Sequence, residues 1–80
     1  PIFIHIPKNF TGETIEYLRE LNKDNALIRD HIAKPKAIGS LSIMLRTDPV
    51  ARRYGAKVGD MFQIFRTDSS GLTILFRIVK

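Results

Sequence analysis

Six cations, Arg46, Arg52, Arg53, Lys57, Arg66 and Arg77, gather in the second half of this 80-residue chain, with Tyr54 among them. Arginine and tyrosine are side chains that often anchor protein–protein contacts. Cations interleaved with aromatics are also the footprint of a nucleic-acid reader. Residues 46–80 carry seven basic and three acidic groups, net +4, whereas residues 1–45 carry six and five, net +1. Such an imbalance favours an acidic protein surface or nearby nucleic acid as partner, unless it serves only to keep a small surface soluble.

Catalytic chemistry has no comparable footing. The chain holds no Gly-rich phosphate loop and no nucleophile elbow. His5 and His31 lie far apart, with no acidic pair at ligand or triad spacing, and read as surface or half-buried histidines. The aspartates have structural readings: Asp24 and Asp30 beside helix-ending residues, Asp48 as a helix cap, Asp60 and Asp68 in turns. Glu13, Glu16 and Glu20 recur at roughly helical intervals, as on a solvated helix face. No cofactor, metal or small-molecule substrate is implied. An RNA-reading sheet would display two or three aromatics on an open face. Phe62 and Phe65 point to opposite faces of their strand and Phe76 belongs to an apolar face, so these rings read as core.

The cations must be held by short elements. Asp48-Pro49-Val50-Ala51-Arg52-Arg53-Tyr54-Gly55 has the local grammar of a brief helix. Asp48 is a good N-cap, Pro49 sits where its missing donor costs nothing, and Gly55 can take the left-handed conformation that ends a helix. At under two turns it needs packing to be stable. A turn at residues 57–60 follows, then a strand over 61–66. Turn residues at 67–71 read as a five-residue hairpin loop before a second strand over 72–79. In that strand Leu72, Ile74, Phe76 and Ile78 share a core face, and Arg77 points the other way, where Arg66 joins it if the register allows.

Ile2-Phe3-Ile4-His5-Ile6 reads as a strand stopped by Pro7. Thr11 is a candidate N-cap for an amphipathic helix over 13–22, with Ile15, Leu18 and Leu21 at helical spacing and Tyr17 on the flank. Residues 26–32 fit a short helix or a strand. Breakers at Lys34-Pro35-Lys36 and Gly39-Ser40 indicate a loop, and residues 41–46 an extended segment. Strands and short helices closed by a C-terminal hairpin make the expected fold class α/β (α+β).

Eighty residues make one domain with a small core, for which association with a larger partner is a natural source of stability. With no cysteine, disulfides are excluded, a zinc site is disfavoured, and a reducing intracellular setting fits. No apolar run approaches the ~20 residues of a membrane span. The chain starts with Pro, which fits either the C-terminal part of a longer polypeptide or removal of Met.

The motif Asp48-Pro49-Val50-Ala51-Arg52, followed by Gly55, Lys57, Gly59 and Asp60 and a hydrophobic strand ending in Arg66, carries a family resemblance. It resembles the C-terminal assembly domain of the fifth-largest subunit shared by the eukaryotic nuclear RNA polymerases. That family includes the smaller archaeal RNA polymerase counterpart, with relatives in large DNA viruses. The resemblance covers nearly all of residues 41–79. Leu41-Ser42-Ile43-Met44 stands where the family has Leu-Pro-x-Ile, and residues 74–79 match its closing strand. In residues 1–40, Ile6-Pro7 corresponds to a Val-Pro motif whose flanking histidines are replaced by Phe3 and Asn9, and extra residues precede Leu41. Such departures resemble a divergent, viral type of member.

The resemblance implies a small mixed, mainly four-stranded sheet packed with short helices, and a noncatalytic polymerase subunit that docks on the largest subunit, contacts other subunits, supports assembly and borders downstream DNA. It implies a partner surface formed by Asp48, Pro49, Val50, Arg52, Arg53, Tyr54 and Gly55, with Pro49, Val50, Arg52 and Tyr54 at its core and Arg66 and Arg77 reaching acids on the partner. The compartment follows the polymerase: nucleus, archaeal cytoplasm, or viral cytoplasm and virion. The alternative reading is an independent basic nucleic-acid-binding module.

Overall fold

The computed structural model describes residues 1–35, 39 and 41–80. Four strands and three short helices follow in the order β1 (Ile2–Ile6), α1 (Gly12–Leu21), α2 (Ala26–Arg29), β2 (Ser42–Met44), α3 (Pro49–Arg53), β3 (Met61–Asp68) and β4 (Gly71–Val79). The sheet has strand order β1-β3-β4-β2. β1 and β3 pair antiparallel, as do β3 and β4, whereas β2 runs parallel to β4. The mixed four-stranded α/β architecture that the resemblance implies is therefore present. The expected loop between residues 34 and 40 falls largely outside the described residues.

Two layers pack on the sheet. On one face Ile4, Ile6, Met61 and Phe65 meet Leu18 of α1, Ile28 of α2 and Ile32 beyond it. The helix caps that place α1 are those its sequence supplies: the Thr11 hydroxyl accepts from the Thr14 amide at 3.3 Å, and Asn22 closes the helix. The stripe turned inward is Thr14, Ile15, Leu18 and Asn22, all half-buried or buried. Leu21, expected on that stripe, is 63 % exposed, because the helix ends there and Asn22 takes the inward position. Buried Gln63 ties this layer to the sheet: its Nε2–H donates to the His31 carbonyl (2.7 Å), and its Oε1 accepts from the Ala33 amide (3.1 Å). Residues 26–29 resolve as helix rather than strand.

On the opposite face Met44, Phe62, Ile64 and Val79 pack under Ala51 of α3, with Val50, Ala56, Phe3 and Leu75 at the margin. Phe62 and Phe65 lie on opposite faces and are both almost wholly buried, as expected of core rings. Burying a side chain of this size stabilises by about 1.5–3 kcal/mol.

The hairpin corrects one expectation. The strands extend through Thr67 and Asp68, Asp68 opposes Gly71, and the loop is only Ser69 and Ser70 rather than five residues. Neither serine has positive φ, and Gly71 (φ 119°) absorbs the turn instead. The Asp68 carboxylate accepts from the Ser70 amide (2.8 Å) and hydroxyl (2.6 Å), so a turn-forming side chain works here from within the ladder.

Candidate functional site

α3 forms for local reasons. The Asp48 carboxylate accepts from the Val50 amide at 2.9 Å, Pro49 starts the first turn, and Gly55 (φ 64°) ends it in the left-handed region. Only Ala51 of this helix is buried, and it is fully so. Its small side chain lets the backbone lie close to the sheet. Val50 is half-buried beside it, and Pro49, Arg52, Arg53, Tyr54 and Gly55 face solvent.

The register answers where the two strand arginines go. Phe62 opposes Arg77 and Arg66 opposes Thr73. Residues 62, 64 and 66 of β3 therefore share one sheet face with residues 73, 75 and 77 of β4. That is the face α3 covers in part. All nine residues expected to contact a partner are thus carried on one side of the sheet, apart from α1 and α2. Arg66 and Arg77 are not neighbours, however, because four positions along the strands separate them. Arg66 is exposed and Arg77 half-buried.

Three residues that sequence reasoning did not connect to this surface hold it in place: His5, Asp60 and Phe62. The His5 ring stacks on Phe62 (centroids 5.1 Å, 23°), and Tyr54 meets Phe62 edge-on (5.6 Å, 67°). Tyr54 and His5 lie 6.2 Å apart, so two rings support a tyrosine that remains 44 % exposed. Such pairs add about 0.5–1.5 kcal/mol each beyond area burial.

Asp60 fixes His5 in turn. Its Oδ2 accepts from His5 Nε2–H (2.9 Å) and from the Lys57 amide (3.0 Å), and its Oδ1 from the Lys8 amide (2.9 Å). The residue is only 7 % exposed. Burial works to raise its pKa, but the hydrogen bonds from Lys57, His5 and Lys8 outweigh it and hold the group below the usual carboxylate range. Its backbone carbonyl accepts from the Val79 amide at 2.8 Å, tying the turn to β4. Asp60 sits in the expected turn and in addition joins it to β1 and to the segment after β1. The signal available was a lone polar residue, His5, inside an otherwise apolar strand; its partner is 55 residues away.

Among the described residues no group of three or more His, Asp or Glu side chains converges to hold a metal ion. Among them, too, no helix is long and apolar enough to cross a membrane.

A comparison with curated proteins found no match. A family model, described as RNA polymerase Rpb5, C-terminal domain, matches residues 5–79. That span starts in β1 and ends with β4, so it takes in His5, the divergent residues before Leu41 and the whole of the face just described. The chain belongs to the RNA polymerase Rpb5 C-terminal domain family.

Proposed function

We propose that this chain is a noncatalytic docking subunit of a multisubunit DNA-directed RNA polymerase. It seats on the largest subunit through the face bearing α3 and supports assembly beside the downstream DNA. Membership of an RNA polymerase subunit family makes other polymerase subunits its partners. The observation that carries the docking face is the combination of solvent-facing Pro49, Arg52, Arg53 and Tyr54 with a rigid floor of Ala51, Phe62 and Val79. Exposed anchors on a preorganised support bind with little ordering cost. Asp48 and Gly55 shape the helix, Val50 adds apolar contact, and Arg66 and Arg77 extend the surface along the sheet.

The test is co-purification of the polymerase largest subunit with the chain carrying Pro49→Ala, Arg52→Ala and Tyr54→Ala together. If each anchor contributes more than about 1 kcal/mol, retention falls at least about 100-fold. Undiminished retention in a variant with an unchanged thermal melt counts against this surface.

The net +4 of residues 46–80 favours a second reading, an independent nucleic-acid-binding module. Tight binding to short duplex or single strands without polymerase, weakening steeply with salt, would support it. Weak, sequence-blind binding fits a subunit that only borders the DNA.

A further inference from the structure

The three carboxylate side chains of residues 41–80 are all occupied within the fold. Asp48 caps α3, Asp60 joins three segments, and Asp68 holds the hairpin turn. The seven cations of residues 46–80 have no such partner. The ion pairs among the described residues are His5–Asp60, Lys23–Glu20 and Arg29–Asp30, so none of those seven cations lies within 4 Å of a carboxylate. Asp68, two residues along β3, feels the Arg66 charge, whereas the chain places no carboxylate within 4 Å of Arg77.

Register gives part of this charge a pattern. Arg66 lies at one end of a strip and Arg77 at the other, with the opposed pair Ile64 and Leu75 between them and Phe3 opposite Ile64 on the outer side. Four residues of strand separate the arginines, about 13 Å along the strand axis. Ile64 is buried, while Leu75 and Phe3 are half-buried, so the floor between the charges is apolar and in part accessible. A partner backbone in extended conformation places residues i, i+2 and i+4 on one face over the same length.

We infer that this strip receives an extended protein segment with acidic side chains at i and i+4 and an apolar side chain at i+2. The inference rests on the docking reading and gives that docking a chemistry. Each carboxylate meets a planar guanidinium that can bind it through two parallel hydrogen bonds. The central side chain covers Leu75. Nucleic acid fits less well. A strand presents a phosphate about every 3.4 Å of helix axis, not charges separated by an aliphatic floor. A stacking reader needs a run of open aromatics; on this face Phe62 is buried, Phe3 is half-buried, and Tyr54 is exposed on α3 rather than between the arginines.

The experiment is an NMR titration of the full chain with the peptide acetyl-Thr-Glu-Thr-Leu-Thr-Glu-Thr-amide. Its comparators are the peptide with lysine for both glutamates, the peptide with serine for the leucine, and a DNA duplex of about 12 base pairs. The expected result is shifts at Thr73, Leu75 and the Arg66 and Arg77 Nε–H groups, with affinity at least about 10-fold above both altered peptides. Joint Arg66→Gln and Arg77→Gln substitution removes that margin, and Lys23→Gln on the far side of the sheet leaves it intact. Equal affinity for all peptides, or tighter duplex binding through the same two arginines, overturns the inference. Co-purification with polymerase separates the two readings. If the wild type is retained and Arg66→Glu with Arg77→Glu is retained equally, the strip is refuted and the docking function stands. If the wild type is not retained, the docking reading fails, and the titration still decides what the strip binds.

Discussion

Replacing Asp60 tests whether one carboxylate holds the α3 face of the sheet in shape. In Asp60→Ala the Lys8 and Lys57 amides and the His5 ring lose their shared acceptor. Leaving a buried donor unpaired costs about 1–3 kcal/mol. Three donors at a partly buried site, some regaining water, put the alanine variant about 3–4 kcal/mol below the wild type. Asp60→Asn keeps one acceptor oxygen and turns an NH2 toward the other donors, for a loss of about 1–2 kcal/mol. An 80-residue domain has only about 4–12 kcal/mol in total. At about 4–8 °C per kcal/mol, asparagine lowers Tm by roughly 5–15 °C and alanine by more.

The pH profile separates this carboxylate from a packing effect. Because the folded-state pKa of Asp60 is depressed, the unfolded chain binds the proton more readily. The stability it contributes is complete above the ordinary carboxylate value near pH ~4 and drains away as pH falls through the lower folded value. Denaturant melts by circular dichroism at neutral pH and down the acid limb measure both effects. Asp30 and Asp68 are also depressed, by Arg29 and Ser70 respectively, so the readout is the difference between wild type and Asp60→Asn. An alanine variant within about 1 kcal/mol of wild type, or an asparagine variant with an equally steep acid limb, would refute this account.

Two further outcomes follow from local geometry. Gly55→Ala places a side chain at φ 64° with nothing within 4 Å of its Cβ, so only the backbone penalty applies, about 1–2 kcal/mol by thermal melt. Gln63→Leu removes both partners of the loop at residues 31–33, costing about 2 kcal/mol, and the Ala33 amide then exchanges with solvent faster than those of β3 in a hydrogen-exchange measurement.

Much of this was legible in the chain because it depends on residues close in sequence. Thr11, Asp48 and Gly55 act within one turn of themselves, so their roles survive in any context that permits a helix. Alternation along residues 72–79 likewise identified one core face, but not that Val79 and Leu75 serve a second core on the other. What could not be read depends on register and on distant pairing. Arg66 and Arg77 share a face only because β3 and β4 pair as they do, and the same register sets them apart. Thr67 and Asp68 have turn chemistry yet keep their ladder bonds, because Gly71 supplies the conformation the turn needs. His5 and Asp60 meet only after β1 joins the edge of β3. Leu21 fits a helical repeat, but the helix ends where it would have turned inward.

The strand order has a consequence for synthesis. β4 is the last of the described elements in the chain, yet it lies inside the sheet, antiparallel to β3 and parallel to β2. Until residues 71–79 leave the ribosome, β2 has no strand to pair with, and Asp60 lacks the Val79 amide that holds its turn. β1 and α1 emerge first and must wait, with Ile4 and Ile6 uncovered. The hairpin, built from near neighbours, forms faster than the long-range pairing of β1 with β3. A pause before β4 is therefore the vulnerable interval, when the apolar strand β1 is available to chaperones or to another copy's edge.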